Sequence, residues 1–196
     1  MRNIWVGDNR DIVKWSTLLH LADHHNVKHI LQICFLNPHD FSPIVIDGKE
    51  FPVPAPVIQH FRNVNNVKNI LSNTEISVFD EPFNNRAAYL SSVLNFISKH
   101  NGPKCVFLDP DTGLEPKNRV NKTHVTNAEA HNIWNTLENG DVLVIYQHKT
   151  NMMGLPWIPE KHLQMANAIV VNVSQVKIAK SEEIAHDVVF LYAVKA

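Results

Sequence analysis

Asp109, Asp111 and Glu115 fall within one short stretch, Cys-Val-Phe-Leu-Asp-Pro-Asp-Thr-Gly-Leu-Glu, at residues 105–115. Carboxylates so close in sequence have two chemical uses: as hard oxygen ligands they suit a divalent cation, and as acceptors they orient an amino group or take a proton. Apolar residues 105–108 stop abruptly at Asp109-Pro110, the pattern of a short buried strand that delivers an acid to its carboxyl end. Pro110 has no N–H and drives Asp109 towards an extended backbone, while Gly113 permits a turn. An Asx-type turn leaving a strand accounts for the same residues equally well. A second strand pattern, Asp141-Val-Leu-Val-Ile-Tyr146, apolar from Val142 on, is followed by the polar trio Gln147, His148 and Lys149.

Those side chains need a scaffold, and 196 residues with 44% hydrophobic content suffice for one domain with a substantial core. The formal net charge of -1 leaves no general basic field of the kind that non-specific nucleic-acid binding uses. Cys34 and Cys105 sit inside apolar runs and form no CxxC pair, which predicts buried, reduced thiols. The polar start lacks the features of a signal peptide, and no apolar run reaches the roughly 18 residues a membrane span needs. A soluble, cytoplasmic protein without a membrane partner is the expectation.

The periodicity predicts a helix capped by Asp8 that carries Ile12, Val13, Trp15, Leu18, Leu19 and Ala22 on one stripe and ends near His24-His25. Residues 30–36 are apolar at nearly every position, as a central strand covered on both faces should be, and they stop at Asn37-Pro38. Asp47-Gly48 signals a tight hairpin, an insertion near residues 43–56. A helix is expected over 56–71, a strand over 76–79, and a helix from Asn84 or Asn85 to about His100. The strand ending at Asp109 follows, then a helix over 127–138, the strand 141–146, and a segment over 151–159 that is either a lid or a plain surface connection. A short helix over 161–168 and strand patterns over 168–173, 175–179 and 188–194 close the chain, the last as an antiparallel pair. Strands alternating with helices predict a single α/β domain, a three-layer sandwich around a mostly parallel, Rossmann-like sheet with an antiparallel pair at its end.

Neither GxGxxG nor GxxxxGK[ST] occurs, and GxSxG and HExxH are likewise missing. The run Gly7-Asp8-Asn9-Arg10-Asp11-Ile12-Val13-Lys14-Trp15 resembles the GNxADVxKH helix start of bacterial adenine-N6 methyltransferases acting on large-subunit ribosomal RNA. Leu108-Asp109-Pro110-Asp111 sits where those enzymes carry an Asp-Pro-Pro-Tyr loop, and the order of elements is similar to that of class I S-adenosylmethionine methyltransferases. Asp111-Thr112 stands in place of Pro-Tyr, and Asn37-Pro38-His39-Asp40 in place of an acid and a glycine-rich loop. The resemblance implies catalytic roles for Asp109 and Asp111 and S-adenosylmethionine as cofactor. It implies cofactor contacts from Asp8, Lys14, Asn37 and Asp80, substrate contacts from Tyr146, Gln147, His148 and Lys149, and an RNA or DNA partner.

Two other readings stay open. Asp109, Asp111 and Glu115 as metal ligands, with Gln147-x-Lys149 resembling half of a PD-(D/E)xK signature, would make a metal-dependent nuclease in which Lys149 stabilises a developing phosphorane. The third is a binding module that keeps the fold without the chemistry.

Overall fold

The long apolar runs become strands that bury both faces, and the amphipathic segments become the helices that cover them. The computed structural model describes residues 1–2, 5–37, 39–70, 73–149 and 156–196. In chain order the elements are α1 (Asn9–His24), β1 (His29–Ile33), β2 (Ile44–Ile46), β3 (Lys49–Phe51), α2 (Ala55–Arg62), β4 (Glu75–Phe79), α3 (Arg86–Ser98) and β5 (Lys104–Leu108). Then follow β6 (Gly113–Leu114), β7 (His124–Val125), α4 (Asn127–Thr136), β8 (Val142–His148), α5 (Trp157–Ile169), β9 (Val176–Ser181) and β10 (Ala185–Val194).

Six strands form one mixed sheet in the order β4-β1-β5-β8-β10-β9. β4, β1, β5 and β8 run parallel, and β10 is antiparallel to both of its neighbours. The chain is therefore an α/β protein with a mostly parallel sheet, joined by the small antiparallel pair β2–β3. Asp47 and Gly48, both at positive φ, make the tight turn of that hairpin.

Alternation along each strand divides the core in two. Cys105 and Phe107 of β5 pack with Val13, Trp15, Leu18 and Leu21 of α1. Val106 and Leu108, pointing the other way, pack with residues of α3, α4 and α5, among them Val93, Ile133 and Met165. Coverage on both faces is what near-continuous apolar strands require.

Several expected boundaries move, each for a local reason. β1 ends at Ile33 because Phe35 takes a φ of 44°, after which Leu36 and Asn37 make only isolated bridges to Pro82 and Arg2. The helix expected over 56–71 breaks at Asn63, which adopts an extended backbone, accepts from the Asn65 N–H and starts a separate 3-10 turn, Val64–Asn69; this is the competition with helix that asparagine side chains offer. Leu71 lies outside the described residues. Residues 168–173 are not a strand: α5 continues to Ile169, buries Met165, Ala166 and Ile169, and ends on Val170 at a φ of 56°. Burial of that helical stripe outweighs the β-branched composition. Of the segment 151–159, residues 151–155 lie outside the described residues, and Trp157 to Pro159 form the first turn of α5, where a proline is tolerated. No helix among the described residues is long and apolar enough to cross a membrane.

Candidate functional site at the carboxyl edge of the sheet

Register decides which residues meet. Leu108 pairs with Ile33 on one side and Ile145 on the other, so the next position on each strand brings Cys34, Asp109 and Tyr146 together at the carboxyl edge. The backbone N–H of Asp109 donates to the Ile33 carbonyl at 2.9 Å, continuing the ladder one step past β5.

α1 lies over this edge on the same face. Its N-cap Asp8 accepts from the N–H groups of Arg10 and Asp11, fixing the helix start beside the strand ends. One turn later Lys14, only 4% exposed, reaches Asp109, 2% exposed, with Nζ 2.9 Å from Oδ2. Lys14 also meets Asp11 Oδ1 at 2.5 Å, and Gln32 Nε2 donates to Asp109 Oδ2 at 2.7 Å. Arg10 joins Asp8 at 3.0 Å and forms a two-pronged pair with Asp187 of β10, whose carboxylate also lies 3.1 Å from His148 Nε2.

Burial sets the charges. It works against the Lys14 ammonium, but Asp109 and Asp11 together outweigh it and hold Lys14 protonated well beyond the usual lysine range. Burial pushes the Asp109 carboxyl up, with Lys14 opposing. The Tyr146 phenol is pushed up by burial and by Asp109, so it remains an O–H donor at ordinary pH. Burial would raise Asp187, yet the hydrogen bonds and charge of Arg10 prevail and hold its carboxylate below the usual range.

A cavity of about 300 Å³ opens here, lined by Asp8, Lys14, Asp109, Asp111, Tyr146 and His148 from the sequence-based set. Arg2, Trp5, Arg10 and Asp11 line it as well. Asp111 faces Arg2 at 3.6 Å, and its Oδ2 is buried without a hydrogen-bond partner among the described residues.

Four of the expected residues lie elsewhere. Asn37 Nδ2 donates to the carbonyls of Phe35 and Lys122. Asp80 accepts from Asn65 Nδ2 at 2.6 Å. Gln147, fully buried, points to the opposite face and bonds backbone at 112–114. Lys149 is exposed, and its N–H donates to the Asp187 carbonyl. The period of two explains the split within 146–149: Tyr146 and His148 face α1, and Gln147 cannot. Glu115 also leaves the group, because its carboxylate accepts from the N–H of Asn127 at the start of α4. Among the described residues, no three His, Cys, Asp or Glu side chains converge to hold a metal ion.

Gln32 and the alternation at 146–148 were readable as signals, a lone amide within an apolar strand and a period. The Arg10–Asp187 pair had none, since 177 positions separate its partners. No protein-family model matches the chain, and no match is found among curated proteins. Fold and site thus define an α/β protein with a charged, carboxylate-rich cavity at the carboxyl edge of a mostly parallel sheet.

Proposed function

We propose that the chain is a methyltransferase-like protein of Rossmann-like, three-layer build that takes S-adenosylmethionine in this cavity and passes its methyl group to a nucleic-acid base. One observation carries the reading: Asp109-Pro110 ends β5 next to β1, where the strand order switches direction, with Lys14 of the Gly7-Asp8-Asn9-Arg10 helix bound to it. Ligands of open α/β sheets bind in the crevice at such a switch point.

The donor set suits the cofactor by charge. S-adenosylmethionine is positive at sulfur and at its amino group. Asp111 Oδ2 is a buried acceptor that faces Arg2 at 3.6 Å yet makes no hydrogen bond among the described residues, while Lys14 and Arg10 are already engaged with carboxylates. The end of β1 carries no glycine, and the Arg2 backbone is bridged to Asn37 there, so the fitting place is between α1 and the 109–112 loop. When bound, the cofactor supplies an electrophilic methyl group. The chain's own work is placement: Lys14 and Gln32 lock Asp109, Tyr146 offers a neutral donor, and α1 with the acid loop keeps water from the centre. Alignment of nitrogen with the methyl accounts for most of the rate in such a transfer, with little demand for acid-base power. A target base in a duplex must be flipped out to reach the cavity.

Calorimetric titration separates the three readings. Heat with S-adenosylmethionine and none with magnesium or manganese is the expected result. Heat with the metals alone would favour the nuclease, for which Glu115 and Gln147 stand badly, and heat with neither would leave the binding module.

A further inference from the structure

Behind the acid loop, on the face away from the cavity, two buried side chains hold residues 112–115. Gln147 Oε1 accepts from the Leu114 N–H at 2.9 Å, and its Nε2 donates to the carbonyls of Thr112 at 3.1 Å and His148 at 2.8 Å. Lys161 of α5, 5% exposed, donates to the carbonyls of Leu114 at 3.0 Å and Glu115 at 2.9 Å and to Gln164 Oε1 at 2.8 Å. All these acceptors of Lys161 are uncharged. A charge buried against uncharged acceptors is costly to keep, and burial pulls the Lys161 pKa down, with the Glu160 and Glu115 carboxylates opposing. Gly113 completes the fit: at a φ of 123° it lies so close to the amide that an added Cβ would stand 2.5 Å from Gln147 Cδ.

We propose that Gln147 and Lys161 are positioning residues that set, through the backbone of 112–115, where Asp109 and Asp111 stand in the cavity. At the Gln147 position a primary amide supplies the acceptor for Leu114 and two donors, for Thr112 and His148, whereas a carboxyl group has one donor at most. Lys161 ties the loop to α5, so a shift of that helix moves the acid loop with it. The consequence for ligand affinity rests on the function proposed above; the consequence for the loop does not.

The test uses the full chain with Lys161→Met, Lys161→Arg and Gln147→Glu. Two readouts are taken in the ligand-free protein: amide exchange at Leu114 and Glu115 against Leu31 and Val106, and the carboxyl carbon resonances of Asp109 and Asp111. A third is S-adenosylmethionine affinity by calorimetry. For Lys161→Met we expect about tenfold faster exchange at 114 and 115, displaced Asp109 and Asp111 resonances, unchanged exchange at 31 and 106, and recovery in Lys161→Arg. Affinity falls in parallel. If Gln147→Glu fails to fold, the lysine pair decides alone. Unmoved carboxyl resonances, or exchange that rises equally in the central strands, would overturn the positioning role. Wild-type protein that gives no heat with S-adenosylmethionine, while the resonances and exchange behave as expected, would refute the cofactor reading and leave the clamp standing.

Discussion

Lys14 carries a full charge where water hardly reaches, and it is kept there by Asp109 and Asp11. Breaking a buried pair by removing one partner is far worse than removing both, because the survivor is left charged and unsolvated. Lys14→Met should therefore cost about 3–5 kcal/mol in denaturant unfolding, and adding Asp109→Leu to it should return part of that loss. A loss under about 1 kcal/mol, the size of an exposed pair, would mean that water reaches the site. Asp187 gives a pH test. Its carboxylate is held below the ordinary range, so the pairing with Arg10 contributes stability above the unfolded carboxyl value and loses it as pH falls. Melting temperature followed through pH 4 and below should fall less steeply in Asp187→Asn than in the wild type; identical acid limbs would remove the pair from the account.

Elements were legible where one local signal dominated. The Asp8 cap and the Asp47-Gly48 turn each state their structure within a few residues, and each forms; of the stripe expected on α1, Val13, Trp15, Leu18 and Ala22 are buried while Ile12 is exposed. The strand ending at Asp109 and its neighbour ending past Tyr146 were equally plain, so the shared edge could be anticipated. Faces were harder: Gln147 and Lys149 were grouped with Tyr146 and His148 although a strand sends alternate residues opposite ways. Long-range pairs such as Arg10–Asp187, and the meeting of Lys161 with the 114–115 carbonyls, leave no trace in local patterns. The hairpin insertion and the helix after it behave differently from the rest, for β2, β3 and α2 contain no buried residue, while Ile44, Val45, Ile46, Phe51 and Phe61 are exposed. Elements with so little buried apolar area open locally, so amides of α2 should exchange orders of magnitude faster than those of β5 under native conditions. Equal protection would show that α2 is held by something beyond its own packing.

At the scale of the whole molecule, the charged pairs and the cavity lie on a single face of a single sheet edge. α1 spans from the Asp109 pair just past β5 to the Asp187 pair on β10 and so roofs one cavity. Two of the strand ends, at Asn37 and Asp80, share the edge but spend their side chains on neighbouring loops. The central claim is that ligand enters under α1 and not at the end of β1. Mapping S-adenosylmethionine onto assigned amide and side-chain resonances during a titration tests it most directly. The account predicts movement at Asp8, Asp111, Tyr146 and His148 with Asn37 and Asp80 still; movement centred on Asn37 and Asp80, or none anywhere, would contradict it.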